Sequence, residues 1–127
     1  MEEETASPIL VISARWQTRA LLAAQIGETS ERDVVSAANA TEALGLIKLG
    51  GVDPALVVVD ADQQISVGDV ERLMEAKRET PVVLVVSRLR REGFEGLHGT
   101  AAATLVRPVS IGRIARTVRQ VLENPTR

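Results

Sequence analysis

Ala55-Leu56-Val57-Val58-Val59-Asp60 is an apolar run that stops on a carboxylate. A short stretch this rich in β-branched valine reads as a strand buried on both faces, as in a parallel sheet covered by helices. In such sheets chemistry is placed at the carboxyl ends of the strands. Asp60 therefore stands where a phosphoryl acceptor or a metal ligand would stand.

The chain alternates on either side of this run. Pro8 leads into a predicted strand, Ile9–Ser13. A helix over Thr18–Ile26 follows, with Leu21, Leu22 and Ile26 facing inward. Asp33–Ala37 predicts a second strand. Asn39, with Glu42 three residues on, resembles a capping box; it opens a helix to about Leu49 that Gly50-Gly51 ends. Beyond Asp60 the pattern predicts a helix over Val67–Arg78 and a strand, Val82–Val86, entered through Pro81. Arg88–Leu97 predicts a short helix weakened by Gly93, Gly96 and Gly99. A strand at Ala102–Val106 and a helix at Ile111–Glu123 complete the chain. Ser110 caps that helix, and Ile111, Ile114, Ala115, Val118 and Leu122 form its apolar stripe. Five strands alternating with five helices predict one α/β domain over residues 8–123: a doubly wound, five-stranded parallel sheet with helices on both faces. Residues 1–7 read as a disordered tail and 124–127 as a C-terminal tail.

Composition narrows the function classes. The 127 residues are 45% hydrophobic and 25% charged, enough for one domain with a real core. There is no cysteine, which excludes disulfides and thiolate chemistry. The single histidine, His98, excludes a multi-histidine zinc site and reads as solvated among glycines. No segment is long and apolar enough to span a membrane, and Met1–Pro8 is acidic, unlike a signal peptide, so a soluble cytoplasmic protein is expected. The net charge of −2 hides an asymmetry: 14 acids and 7 bases up to Ser87, then 3 acids and 8 bases from Arg88 onward. That basic third marks either a contact surface for an acidic partner or a solvated helix face.

With these residues in place, the chain resembles a response-regulator receiver domain of the CheY-like superfamily, over about Pro8 to Leu122. The resemblance implies the flavodoxin-like strand order 2-1-3-4-5. It puts Asp60 on the phospho-acceptor position, Ser87 on the hydroxyl that ends the fourth strand, and Arg107-Pro108 on the lysine-proline pair after the fifth, with Pro108 cis. Gly68 matches a glycine of the loop after the acceptor. The departures are as informative. The acidic pair after the first strand falls on Ser13 and Ala14, neither of which ligates magnesium, a cation that prefers hard oxygen ligands. Asp62 offers a replacement carboxylate, since residues two apart on an extended segment face the same way. The lysine is Arg107, planar, bidentate and suited to clamping a carboxylate. Arg15 reaches toward the same pocket. Asp60 is therefore expected in an ion pair with Arg107, Arg15 or both. The aromatic switch position is Thr104, and the loop after the acceptor reads Ala61-Asp62-Gln63-Gln64 instead of carrying Met-Pro.

Three functions follow as expectations. The first is a degenerate, non-enzymatic receiver in phosphorelay signalling, acting as a protein-interaction module with an impaired magnesium-dependent site. The second is a working phospho-acceptor, phosphorylated on Asp60 by a histidine kinase. The third is a flavodoxin-like ligand-binding domain, which the missing Gly-rich loop after the first strand argues against. No cofactor is expected, and magnesium enters only if Asp60 is an active acceptor. The resemblance implies a protein partner, a histidine kinase or an effector, and a homodimer face on the fourth helix, fifth strand and fifth helix. Arg88, Arg91, Arg113, Arg116 and Arg119 are the candidate interface residues there. Nucleic acid is not expected, given the net negative charge and the scarcity of aromatics. Trp16 stands at the rim of the pocket or in an interface.

Overall fold

The computed structural model describes residues 6–62, 64–90, 92–97 and 99–124. Nine regular elements run in order: β1 (Ile9–Ser13), α1 (Trp16–Ser30), β2 (Val34–Ala37), α2 (Ala40–Lys48), β3 (Leu56–Ala61), α3 (Val67–Ala76), β4 (Val82–Val86), β5 (Ala103–Val106) and α4 (Ile111–Glu123). The strands form one parallel sheet in the order β2-β1-β3-β4-β5. Every residue of β1, β3 and β4 is buried. That is why these three read as unbroken apolar runs rather than alternating ones.

Side chains alternate across the sheet. On one face Ile9, Val11, Leu56, Val58, Val83, Val85 and Leu105 pack under α1 and α4, which contribute Leu22, Ile26, Ile114, Ala115 and Val118. On the other, Leu10, Ile12, Val57, Val59, Leu84 and Val86 lie under α2 and α3, with Phe94 and Leu97 closing the β4 side. Each buried aliphatic side chain stabilises the fold by about 1.5–3 kcal/mol relative to exposure. Leu21, expected inward, is 58% exposed. Leu22 and Ile26, four residues apart, make the stripe that meets the sheet, and Leu21 falls outside it.

The five-helix expectation is also corrected. Arg88–Leu97 forms two 3-10 turns, Arg88–Arg90 and Glu92–Leu97, so only four α-helices are present among the described residues. Gly93 and Gly96 fall inside the second turn and weaken any longer helix there. Gly68 lies in the first turn of α3, not in the loop before it. Three helices are capped by side chains: Asn39 receives the Glu42 N–H, Ser66 forms a capping box with Asp69, and Ser110 receives the Arg113 N–H. No helix among the described residues is long and apolar enough to cross a membrane. Arg91 and His98 lie outside the described residues, as do Gln63 and much of the expected tails.

Candidate functional site

Strand register assembles the site. Ser13 pairs with Asp60, and Val86 pairs with both Ala61 and Val106. Ser87 and Arg107 are the next residues after Val86 and Val106, so all four groups gather at one end of the sheet. Alternation also puts Ser13, Asp60, Ser87 and Arg107 on the same face, the one covered by α1 and α4. A cleft of about 420 Å³ opens above them, lined by Arg15, Thr18, Asp60, Asp62, Gln64, Ser87, Leu89, Arg90 and Arg107.

Asp60 is the floor of this cleft and is only 2% exposed. The Ser13 hydroxyl, itself fully buried, donates to its Oδ2 at 2.7 Å. The Arg107 guanidinium is ion-paired with its Oδ1. A buried carboxylate needs such partners, because an isolated charge in this setting costs several kcal/mol. Burial, and then the nearby positive charge of Arg15, hold the Arg107 guanidinium below its ordinary value. The Arg107–Pro108 peptide is cis.

Arg15 does not reach Asp60. Its Nε stands 3.8 Å from Asp62 Oδ2, and its side chain is 74% exposed. Asp62 turns its other oxygen to the Gln64 N–H at 3.0 Å, an Asx turn that closes the loop. Ala14 brings no polar group to the cleft. Ser87 accepts the Arg90 N–H at 3.2 Å, so its hydroxyl serves the local turn. Thr104 points to the opposite face of the sheet, where its Oγ1 is buried without a hydrogen-bond partner among the described residues. It makes no bond to Ser87 that would couple the two positions.

Two arginines were missed at the sequence level. Arg19 donates to the Ser13 carbonyl at 2.8 Å and braces the end of β1. Arg90 donates to the carbonyls of Asp62 and of Ile65, the latter at 3.1 Å, and stacks over Phe94 at 5.1 Å from the ring centroid. It thereby ties the loop after β3 to the crossover after β4. Nothing in a run of Arg88, Arg90 and Arg91 distinguishes Arg90 from its neighbours; only the folded loops do.

The residues do not fit a receiver's magnesium. Neither Ser13 nor Ala14 carries a carboxylate, Asp60 is already ion-paired with Arg107, and no group of three or more metal-binding side chains occurs among the described residues. Arg88, Arg113, Arg116 and Arg119 are exposed, but Arg119 is paired with Glu123 at 3.0 Å, which neutralises part of the basic face.

The fold is that of response-regulator receiver domains. The receiver domain of NtrX from Brucella abortus superposes with a TM-score of 0.76 at 22% identity, over 91% of this chain and 98% of that one. A response regulator receiver domain protein from Clostridium thermocellum gives 0.78 at 14% identity, over 95% and 98%. A receiver-modulated diguanylate cyclase from Pelobacter carbinolicus gives 0.71 at 22% identity, over 95% and 96%. No protein-family model matches the sequence, and no curated protein does so.

Proposed function

We propose that this chain is an atypical receiver, residues 8–123, in two-component-type signal transduction. It works mainly as a protein-interaction module and does not depend on magnesium-assisted phosphorylation. One observation carries the reading: both oxygens of the buried Asp60 carboxylate are already engaged, one by Ser13 and the other by Arg107. Phosphoryl transfer to a carboxylate relies on cations that neutralise the charge on the transferring group. Here the strongest cation is bound to the acceptor itself, and a phosphoryl donor would first have to break that pair. The partner class is a protein, a histidine kinase or an effector. A homodimer face is proposed on the crossover turns, β5 and α4, where Arg88, Arg113 and Arg116 are exposed.

The rival reading is a working phospho-acceptor. It is supported by the convergence of Asp60, Asp62, Ser87 and Arg107 on one cleft, with Asp62 as the replacement carboxylate. A titration with magnesium and beryllofluoride, followed by amide NMR at Asp60, Ser87 and Arg107, separates the two. The interaction-module reading expects a folded spectrum with no saturable shift. A saturable shift that requires both components overturns it in favour of the acceptor.

A further inference from the structure

The cleft above Asp60 holds more positive than negative charge. Three guanidinium groups, Arg15, Arg90 and Arg107, line it against two carboxylates, Asp60 and Asp62. Arg107 is committed to Asp60. Among the described residues Arg90 is hydrogen-bonded only to carbonyl oxygens and pairs with no carboxylate. Arg15 meets Asp62 only at 3.8 Å and in solvent, where such pairs are weak. The first turn of α1 adds to the same field: it contains no acid, and its N-cap, Arg15, makes no side-chain cap.

The mouth is also apolar. Leu89 lines the cleft and is 95% exposed, and Trp16, next to Arg15, is 65% exposed. The remaining large exposed apolar side chains among the described residues are Leu21 and Leu49, neither of which lines the cleft. A cationic hollow with an exposed leucine in its lining, and an exposed tryptophan next in sequence to the lining Arg15, is complementary to an acidic segment with apolar neighbours. The exposed arginines of α4 lack this combination, since Arg119 is already paired and no exposed large apolar residue stands on that helix.

We infer that the mouth of this cleft docks an acidic peptide segment of a partner protein, with one carboxylate held by Arg15, drawn by the charge of Arg90, and a flanking apolar side chain covering Leu89. This rests on the interaction-module reading and names the chemistry of its partner. The guanidinium fork matches a carboxylate in shape. The charge count favours a carboxylate over a phosphate: one negative charge balances the excess, whereas a dianion would add a second above the buried Asp60.

The test is selection of a random peptide library displayed on phage against the full chain. Enriched sequences are then synthesised and titrated by amide NMR. The expected result is enrichment of Asp or Glu beside large apolar residues, with saturable shifts at Arg15, Thr18, Ser87 and Arg107. Arg15→Glu is expected to weaken binding by about tenfold or more, and Leu89→Ser by about threefold. Both side chains are exposed, so both variants keep the fold, and their spectra check this. No enrichment, enriched peptides without acids, or shifts confined to α4 would overturn the inference. So would tighter binding of a phosphoserine peptide than of its glutamate counterpart. A saturable beryllofluoride response refutes the underlying interaction-module reading whatever the peptides do. A silent one, with no peptide in the cleft, refutes the docking inference alone.

Discussion

The floor of the cleft and the crossover between β4 and β5 lie side by side but are held in opposite ways. The floor draws on three strand ends: Ser13 from β1, Asp60 from β3 and Arg107 after β5 converge on one carboxylate buried to 2% exposure. The crossover is two 3-10 turns pinned by one aromatic, Phe94, and one partly exposed arginine, Arg90. A buried ion pair contributes little net stability when intact, yet removing one partner is costly. A surface tie on glycine-rich backbone contributes modestly and opens locally. The contrast teaches that the carboxylate at the strand ends is fixed by partners from two other strand ends, while the crossover beside it is held by few contacts.

The largest expected effect tests the floor. Arg107→Ala leaves Asp60 buried without a counter-charge and should cost about 3–5 kcal/mol in urea unfolding. Adding Asp60→Asn to it should recover much of that loss, since the stranded charge is gone. If Arg107→Ala costs under about 1 kcal/mol, the pair does not anchor the floor and the comparison breaks.

Phe94→Ala comes next. Phe94 and Leu97 are the buried side chains of the second turn among the described residues, Phe94 the more deeply at 1% exposed, and its truncation should cost about 3 kcal/mol. Arg90→Ala should cost about 1–2 kcal/mol by removing the charged donor that joins two loops. Its signature is local: hydrogen exchange should quicken at Ile65 and across Glu92–Leu97, while amides of β1 and β3 keep their protection. Quickening throughout the sheet would mean that floor and crossover are one cooperative unit.

The smallest effect has the opposite sign. A Cβ at Gly93 or Gly96 meets no heavy atom of the described residues within 4 Å. Neither glycine has the positive φ that Gly51 shows. Gly93→Ala and Gly96→Ala should each stabilise by about 0.4–1 kcal/mol, read as a rise in the urea midpoint, by restricting the unfolded chain. Destabilisation by either would show that the crossover needs conformations only glycine reaches, which would sharpen its contrast with the floor.

Much of the fold was legible because burial on both faces demands continuous apolar sequence. Ile9–Ser13, Ala55–Asp60 and Val82–Val86 read as buried strands for that reason, and the strands lie at Ile9–Ser13, Leu56–Ala61 and Val82–Val86. The stripe in Ile111–Glu123 likewise names its own buried face, and Ile114, Ala115 and Val118 occupy it. The crossover was less legible, since glycine lowers helix propensity without saying what replaces the helix. Of the site, Asp60 was readable from its strand-end position, and Arg107 through the resemblance to receiver domains. Arg15 was assigned to the right cleft but meets Asp62, and Arg19 and Arg90 gave no local signal at all.

By itself the sequence determined the parallel sheet, the position of Asp60 at a strand end, and the absence of a carboxylate at Ser13 and Ala14. Those are properties of residue type and period along the chain. Tertiary structure alone decided which arginine pairs with which acid, that Ser13 donates to the carboxylate beside it, and that Arg90 ties two loops 25 or more residues apart. The reason is physical. Hydrophobic period is a local pattern, whereas the reach of a guanidinium depends on where separate strand ends come to lie in space.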